Sequence, residues 1–516
     1  MSIIKSISLR LAVVLIFIFF QMAIVASIVG AILLRFPYIA YVGYAVSVLV
    51  FLYLIKKDEA SAYKLSWVII VMTFPVVGGV IYLLYGKVHP ARQKISAHIE
   101  EHALIAKLLD SDGNLPFVNQ VQCGRMYSLL QYIRSSSSYH AYQNTETKYY
   151  PIGELKFSDM LDELSKAEKF IFLEYFIIKK SQMWDDILEI LEQKAAEGVE
   201  VRLIIDDFGS HRLFVNKYIK ALRTKGIKVM RFSPIKPFLA AFMNHRDHRK
   251  IMVVDGHTAF VGGLNISDEY ININSKFGVW KDTAIRLKGD GVWSFTLMFI
   301  EMWDTFCKTE ERINNHAFYR MSMEEQNMRD MLSSPTKTDG FIVPYGDSPL
   351  DNEQLGENIY IDILNQSERY VYIFTPYLII SEKMIHALQM TARRGVDVRI
   401  IMPGIPDKKI IYRLSRSYYN CLLEAGVRIF EYAPGFLHAK SFVCDDEVAV
   451  VGTINLDYRS LYLHFECATL LYHTSSIQDI KADAIQTIAE SREVSMKASS
   501  WHDMLDAVLH LFAPLL

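Results

Sequence analysis

The 516-residue chain lacks the cysteine pattern of a disulfide-rich or zinc-binding protein. It has five cysteines, an odd number, and they are scattered along the chain without any C-x-x-C spacing. We therefore expect neither a disulfide framework nor a structural metal, and the chemistry predicted below uses no metal ion and no cofactor.

The chain also lacks an excess of charge of one sign. Its 55 basic and 57 acidic residues give a net charge of −2, and they form no evident basic stripe. A near-neutral chain does not create the electrostatic field that gathers a nucleic-acid polyanion. The charge balance therefore argues against a nucleic-acid partner and against a nuclease.

Apolar sequence is plentiful, with 51% hydrophobic residues, and it is concentrated near the N-terminus. Three apolar runs stand out, at residues 11–34, 36–55 and 65–86. The first exceeds the roughly 20 residues that cross a bilayer as a helix, and it is too long for the apolar part of a signal peptide. We expect an anchor of about three transmembrane helices and a multi-pass location in the cell membrane. The flanking lysines and arginines are divided too evenly to choose an orientation.

From about residue 149 the chain is expected to be α/β, because short apolar strand-like runs alternate with helical stretches. Residues 197–205 (EGVEVRLII) and 394–402 (RGVDVRIIM) are closely similar, and another apolar strand precedes each of them. One unit is therefore present twice, with a period near 200 residues. The predicted division is an anchor at 1–88, a connector at 89–148, a first domain at 149–307, a linker at 308–340 and a second domain at 341–516.

Each copy carries the same motif of chemically active residues. A single H-x-K-x4-D match has little weight, since a chain of this composition gives one by chance with a probability on the order of a few per cent. Two matches with identical downstream spacing inside a duplicated unit exclude ordinary core histidines and solvated lysines as the simplest explanation. The matching positions are His248, Lys250, Asp255 and Asn265 in the first copy, and His438, Lys440, Asp445 and Asn455 in the second.

The spacing of the motif predicts phosphodiester chemistry. The strand period of two places each histidine and its lysine on one face. If the domains meet about a pseudo-twofold axis, the two lysines neutralise one phosphodiester and the two histidines flank its phosphorus. One histidine attacks as a neutral nucleophile, while the other protonates the departing alcohol and later deprotonates the incoming one. The expected reaction is a two-step exchange.

The remaining motif residues are expected to support this chemistry. Asp255 and Asp445 fall on the opposite strand parity from their histidines, so they are expected to fix the lysine strand and the following turn. The side chains of Asn265 and Asn455 are expected to donate hydrogen bonds to phosphate oxygens or to the histidine network.

A histidine nucleophile also needs an acceptor that fixes its second nitrogen. Two carboxylates lie downstream of the motifs in strand-like surroundings, Asp282 in the first copy and Glu466 in the second. We assign Asp282 to His248 and Glu466 to His438, so that each pair lies within one copy.

The repeated pattern H-x-K-x4-D-x6-G-[GS]-x-N resembles that of the phospholipase D superfamily, with Thr453 where serine is common. Further segments resemble bacterial cardiolipin synthases: residues 74–79 (FPVVGG), 244–250 (NHRDHRK), 435–440 (GFLHAK), 455–460 (NLDYRS) and 511–516 (LFAPLL). The resemblance implies duplicated phospholipase D-like α/β domains, each a mixed sheet flanked by helices, behind the N-terminal transmembrane segment.

The resemblance further implies that two phosphatidylglycerol molecules give cardiolipin and glycerol through a phosphatidyl-histidine, with membrane lipids as partners. In many superfamily members the nucleophile comes from the first half, which favours His248, although the sequence is nearly symmetric on this point. Three alternatives stay open: a membrane-bound phospholipase D that transfers to water, a silent lipid-binding scaffold, and a nuclease.

Overall fold

The chain divides into two compact units, one formed by residues 1–92, 233–245 and 500–516, the other by residues 93–232 and 246–499. We call them the N-terminal unit and the larger unit. Apart from a few isolated positions near the ends, the computed structural model describes residues 38–57, 61–74, 77–86, 92–110, 123–234, 245–273, 276–307, 309–333, 340–351 and 353–496.

Within the described residues, the helices of the N-terminal unit are Tyr38–Lys56, Ser61–Thr73 and Val77–Tyr85. Trp67 packs edge-on against Tyr63 and Tyr82, with ring centroids 6.3 and 5.3 Å apart. Among the positions described, no helix has both the length and the apolar composition needed to cross a membrane. Most of the first apolar run, residues 11–34, lies outside the described residues.

The larger unit is an α/β structure. Over the described part of the chain its strands are β1 (Thr145–Tyr150), β2 (Phe170–Tyr175), β3 (Glu200–Asp206), β4 (Ile227–Phe232), β5 (Arg246–Asp247), β6 (Lys250–Val254), β7 (Thr258–Gly262), β8 (Val279–Lys281), β9 (Ala284–Gly289), β10 (Phe341–Asp347), β11 (Tyr370–Phe374), β12 (Leu378–Ile379), β13 (Asp397–Pro403), β14 (Arg428–Tyr432), β15 (Gly435–Leu437), β16 (Ser441–Cys444), β17 (Val448–Gly452), β18 (Leu456–Asp457), β19 (His464–Tyr472) and β20 (Ser491–Glu493). The α-helices from Arg92 onward, in the same described ranges, are Arg92–Asp110, Tyr127–Ser137, Gly153–Ser165, Gln182–Ala196, Asp207–Ser210, Asn216–Thr224, Val292–Phe306, His316–Ser333, Leu355–Gln366, Glu382–Arg393, Lys409–Ser417, Tyr419–Leu423, Tyr458–Tyr462 and Ser476–Ala489.

The two large sheets repeat one topology. The first has the strand order β1-β9-β7-β6-β2-β3-β4, and the second contains the equivalent order β10-β19-β17-β16-β11-β13-β14, extended by β20. In each, three neighbouring strands are parallel (β2-β3-β4 and β11-β13-β14) and the others pair antiparallel. The predicted duplication of an α/β domain with a mixed sheet is therefore confirmed.

Local sequence explains why both copies fold alike. Ser181 and Ser381 each cap a helix by accepting a hydrogen bond from the backbone N–H three residues ahead. Each of these helices ends before a glycine with positive φ, Gly198 at 94° and Gly395 at 93°, a conformation that favours glycine. The chain then enters β3 or β13, whose apolar residues are buried in the core.

Two short strand pairs join the halves beside the motifs. β5, just before His248, pairs in parallel with the first residues of β19 in the second half. β15, just before His438, pairs in parallel with β8 of the first half. Each motif histidine therefore follows a strand that is hydrogen-bonded to the opposite half, and this arrangement positions the site.

The predicted linker, residues 308–340, contains the helix His316–Ser333. Tyr319 is buried and donates a hydrogen bond of 2.7 Å to Glu200, at the start of β3. Ser322 donates a hydrogen bond of 2.9 Å to the backbone carbonyl of Asp255. This helix therefore packs on the first domain, beside the turn at Asp255 that follows the lysine strand.

Candidate active site

His248 is held by residues of the second half. Its backbone N–H donates to the Phe465 carbonyl at 2.9 Å, which continues the pairing of β5 with β19. The next residue of β19 is Glu466, whose two carboxylate oxygens lie 2.8 and 3.0 Å from His248 Nδ1. The carboxylate accepts from Nδ1–H and leaves Nε2 as the free nitrogen of the ring.

His438 is held in the same manner by the first half. Its backbone N–H donates to the Lys281 carbonyl at 2.7 Å, which continues the pairing of β15 with β8. Asp282 follows in the chain, and its Oδ2 lies 2.6 Å from His438 Nδ1. Both carboxylates are fully buried, so these bonds are charge-assisted and shielded from water.

The predicted pairing of each histidine with the carboxylate of its own copy is wrong. The structure pairs His248 with Glu466 and His438 with Asp282. The physical reason is the parallel pairing of β5 with β19 and of β15 with β8, which brings each histidine alongside the carboxylate strand of the other half. The two residues singled out as histidine-orienting are thus present, with their partners exchanged.

The two histidines share one electrostatic environment. Burial lowers the pKa of His248 well below its ordinary value, and the charges of Lys250, Lys440 and His438 lower it further. Burial and Lys440 lower the pKa of His438 to about 4, against the opposing effect of Asp282. The two motifs therefore lie close enough to interact electrostatically, and the surroundings favour the neutral form of each imidazole.

The motif lysines form a buried cationic pair. Lys250 is 0% and Lys440 is 1% exposed, and each ammonium group donates to the backbone carbonyl of its own motif histidine. Burial lowers the pKa of Lys250 to about 8 and that of Lys440 to about 7. A bound anion would offset this desolvation and raise both pKa values.

The motif aspartates hold the fold together at one end of each sheet. Both have a positive φ, 52° for Asp255 and 55° for Asp445, in the turn after the lysine strand. The carboxylate of each accepts three backbone N–H groups at the start of the neighbouring strand: those of Glu168, Lys169 and Phe170 for Asp255, and those of Glu368, Arg369 and Tyr370 for Asp445. These carboxylates are engaged by the backbone, and we treat them as fold residues rather than reacting groups.

The motif asparagines differ from each other. Asn265 accepts from the backbone N–H of Ile177 at 3.0 Å and donates to the Tyr270 hydroxyl at 2.7 Å. The Tyr270 ring in turn packs 5.6 Å from His438, so Asn265 supports the site through Tyr270 instead of facing a phosphate. Asn455 is 5% exposed, and its Oδ1 has no hydrogen-bond partner in the described part of the chain.

The side chains that surround the two motif histidines, and form a half-site with each of them, were not predicted from the sequence. His438 is surrounded by aromatic rings, with Trp280 at 5.5 Å and Phe436 at 5.8 Å in addition to Tyr270. His248 has Phe176 at 5.1 Å and His464 at 5.5 Å. Trp280 and His464 each stand two residues before the orienting carboxylate, and this equivalence is the sequence signal that could have identified them.

A third buried lysine, Lys156, was also missed. It is 0% exposed, its ammonium group lies 5.7 Å from the centre of the Tyr175 ring, and burial lowers its pKa to about 8. It interacts electrostatically with Asp282 and Lys250. It adds positive charge near the site from the helix Gly153–Ser165, outside any motif.

The residues after the motif glycines support the two carboxylates differently. At Gly263, a Cβ atom would lie 2.1 Å from Asp282 Oδ1, so only glycine leaves room for this carboxylate. At the equivalent place in the second half, the Thr453 hydroxyl donates a hydrogen bond to Glu466. The half-site of His248 therefore has a more polar support.

Two groups among the described residues have donor atoms close enough together to hold a metal ion. One is His248, His464 and Glu466, and the other is Glu101, Asp304 and His316 in a separate cluster. In the first group, His248 Nδ1 and Glu466 are already hydrogen-bonded to each other.

Comparison with known protein families finds the same repeat that the fold shows. A family model described as cardiolipin synthase, PLD-like domain, matches residues 160–285 and again residues 360–487. A second model, described as phospholipase D-nuclease N-terminal, matches residues 45–87. The two matches of the first model fall on the two sheets, so the repeat in the sequence and the repeat in the fold coincide.

Similar proteins extend over most of the chain. It is 47% identical over 470 residues to an uncharacterized protein of Streptococcus mutans, which covers 90% of this chain and 99% of that protein. It is 33% identical over 458 residues to a cardiolipin synthase of Alkalihalophilus pseudofirmus, covering 88% of each. Among solved structures, a phosphatidylserine synthase of Haemophilus influenzae matches with a TM-score of 0.53 and 16% identity, over 72% of this chain and 93% of that one. At that identity the likeness shows the fold alone.

Proposed function

Because the chain belongs to the cardiolipin synthase family with phospholipase D-like domains, we propose that it transfers a phosphatidyl group from one phosphatidylglycerol to another, giving cardiolipin and glycerol. The observation that carries the proposal is the crossed site. Two buried histidines, each fixed by a carboxylate of the opposite half, interact electrostatically with the buried Lys250 and Lys440. In the proposed complex, the two lysines neutralise a phosphodiester and the two histidines present a nitrogen to each side of its phosphorus.

In the first step, Nε2 of one histidine attacks phosphorus as the bond from phosphorus to the glycerol oxygen breaks. The other histidine, which takes up a proton when the anionic substrate binds, gives that proton to the oxygen, and glycerol leaves. We assign the attack to His248, as the resemblance to the phospholipase D superfamily favours, and the acid role to His438.

In the second step, His438 takes the proton from a headgroup hydroxyl of the second phosphatidylglycerol. The hydroxyl oxygen attacks phosphorus, the bond from phosphorus to His248 breaks, and cardiolipin forms. Glu466 stabilises the positive charge that His248 carries in the intermediate. The protons and bonds balance over the two steps without any further reactant.

Product analysis tests this proposal. Purified full-length protein given phosphatidylglycerol in mixed micelles is expected to release glycerol and to form cardiolipin, and His248→Ala is expected to do neither. Phosphatidic acid without cardiolipin would show a phospholipase D instead. Cardiolipin formation by a His248→Ala, His438→Ala double variant would support a scaffold with no catalytic role for the motifs.

We also propose that residues 1–88 anchor the protein in the cell membrane by about three spans, ahead of the connector, the two catalytic domains and the linker placed at the boundaries given above. Support comes from the helix Tyr38–Lys56, where Tyr41, Val42 and Leu49 are 79%, 59% and 66% exposed. A row of exposed apolar side chains of this kind indicates a lipid or protein contact. Extraction of bacterial membranes with carbonate, which removes peripheral proteins, should leave the chain in the pellet.

A further inference from the structure

His464 lies beside His248 and has no part in the transfer described above. The two ring centroids are 5.5 Å apart, with the ring planes tilted by 44°. His464 is 9% exposed, and neither of its ring nitrogens has a hydrogen-bond partner among the residues that the structure describes. Leaving polar groups unsatisfied in a protein interior is costly, so such a side chain points to a ligand that completes it.

The opposite half-site shows that the fold does not require an imidazole at this place. Trp280 precedes Asp282 by two residues, as His464 precedes Glu466, and its ring packs 5.5 Å from His438. With Tyr270 and Phe436 it forms an aromatic wall. An indole has only a donor, whereas an imidazole also offers an acceptor. The two half-sites therefore differ in what they can accept from a substrate.

The surroundings of His464 select one tautomer. Its Nδ1 lies 3.7 Å from Glu466 Oε1, and a carboxylate can only accept hydrogen bonds. This neighbour places the proton on Nδ1. Burial lowers the pKa of His464 to about 3, so the ring is neutral. Nε2 then has a lone pair and needs a donor, which a phosphodiester oxygen cannot supply and a hydroxyl group can.

We propose that Nε2 of His464 accepts a hydrogen bond from a hydroxyl group of the phospholipid headgroup, next to the phosphate that lies between His248 and His438. The inference rests on the proposed phosphatidyl transfer and adds a headgroup-recognition residue to it. The site then prefers a headgroup with a hydroxyl close to the phosphate, such as glycerol, over a headgroup that has no donor.

A metal ion is the competing ligand for these side chains. The donor atoms of His248, His464 and Glu466 lie within 4.8 Å of one another. A cation among them would compete with the bond of 2.8 Å between His248 Nδ1 and Glu466, which orients the attacking ring. Hydroxyl recognition leaves that bond intact, and for this reason we favour it.

The experiment compares two substrates that differ only in the hydroxyls. Phosphatidylethanol is the same phosphodiester as phosphatidylglycerol without any headgroup hydroxyl. Full-length enzyme, in excess over substrate, is given each lipid in mixed micelles. Because phosphatidylethanol has no hydroxyl to accept the phosphatidyl group, kcat/KM is taken from the first turnover, as the release of ethanol or glycerol. In His464→Phe we expect kcat/KM for phosphatidylglycerol to fall roughly three- to tenfold, the effect of one lost hydrogen bond, with phosphatidylethanol nearly unchanged.

Matched variants complete the test. His464→Asn keeps a hydrogen-bond acceptor and is expected to recover part of the preference for phosphatidylglycerol. If His464→Phe does not fold, His464→Asn is compared with the apolar variant His464→Leu in its place. His386 is exposed on the helix Glu382–Arg393, so His386→Phe should leave both substrates unaffected.

Equal losses on both lipids in His464→Phe would overturn the inference, because His464 would then only support His248. Loss of the preference on adding a chelator would overturn it in favour of a bound metal. Because headgroup release is measured, the result does not depend on whether the phosphatidyl group goes to a lipid or to water. Absence of cardiolipin from the wild-type reaction would refute only the proposed transfer.

Discussion

The crossed pairing of histidines and carboxylates predicts which variants regain activity on a substrate whose leaving group needs no proton. The changes are Glu466→Gln and Asp282→Asn, each of which replaces a carboxylate by an amide of nearly the same shape. The carboxylates lie 2.8 Å from His248 Nδ1 and 2.6 Å from His438 Nδ1, respectively. Both substitutions therefore remove the charge from an existing hydrogen bond with little change in packing.

The magnitude follows from the strength of these bonds. A hydrogen bond to a charged group contributes about 1.5–3 kcal/mol. His248 becomes more positive as it bonds to phosphorus, and His438 must carry a positive charge to act as the acid. Most of this stabilisation is therefore lost when an amide replaces the carboxylate. A barrier higher by about 1.5–3 kcal/mol slows the reaction roughly 10- to 150-fold.

The assay uses two leaving groups. Phosphatidylglycerol needs a proton at the departing oxygen, whereas phosphatidyl-p-nitrophenol releases p-nitrophenolate without one. Asp282→Asn acts on the proposed acid, His438, so the first equivalent of p-nitrophenolate should be released at close to the normal rate, as it should for His438→Ala. Glu466→Gln acts on the nucleophile, His248, and should stay slow on both substrates.

The reasoning is refuted if each carboxylate variant follows the histidine of its own half. Recovery of Glu466→Gln together with His438→Ala, and no recovery of Asp282→Asn, would give that result. Recovery of Glu466→Gln together with His248→Ala would keep the crossed pairing and reverse the assignment of nucleophile and acid.

Three further predictions follow from the geometry. Asp445→Ala leaves the three N–H groups it binds without their acceptor and should lower the free energy of unfolding by about 2–4 kcal/mol, measured by chemical denaturation of the purified protein. Gly263→Ala should push the Asp282 carboxylate aside and slow the reaction of phosphatidylglycerol, because the new Cβ would lie 2.1 Å from Oδ1. Release of p-nitrophenolate from phosphatidyl-p-nitrophenol should be affected much less. Thr453→Ser keeps its hydroxyl beside Glu466 and should retain most activity. Because the pKa of Lys440 is lowered to about 7, its ammonium form is lost as the pH rises through that value, and kcat/KM should decline above it. Lys440→Arg keeps its charge, so the decline should move to about pH 8, where Lys250 loses its proton.

Much of the fold was predictable because it depends on neighbours in the chain. The caps at Ser181 and Ser381 and the glycines Gly198 and Gly395 mark where helices begin and end in both copies. Identical spacing from motif histidine to lysine to aspartate follows from the same local strand and turn in each half. The linker was less predictable, since the contact of Tyr319 with Glu200 joins residues far apart in sequence.

The sequence by itself determined the repeat, the residue types of the site and the family, since spacing and strand parity are local properties. Only the tertiary structure decided which carboxylate serves which histidine, because β5 joins β19 and β15 joins β8 across the two halves. The same contacts bring His464 to His248 and leave its ring nitrogens without hydrogen-bond partners among the described residues, a feature that no spacing within one copy reveals. Pairing between distant strands depends on how two whole sheets pack, and for that reason it could not be predicted from the sequence of either copy alone.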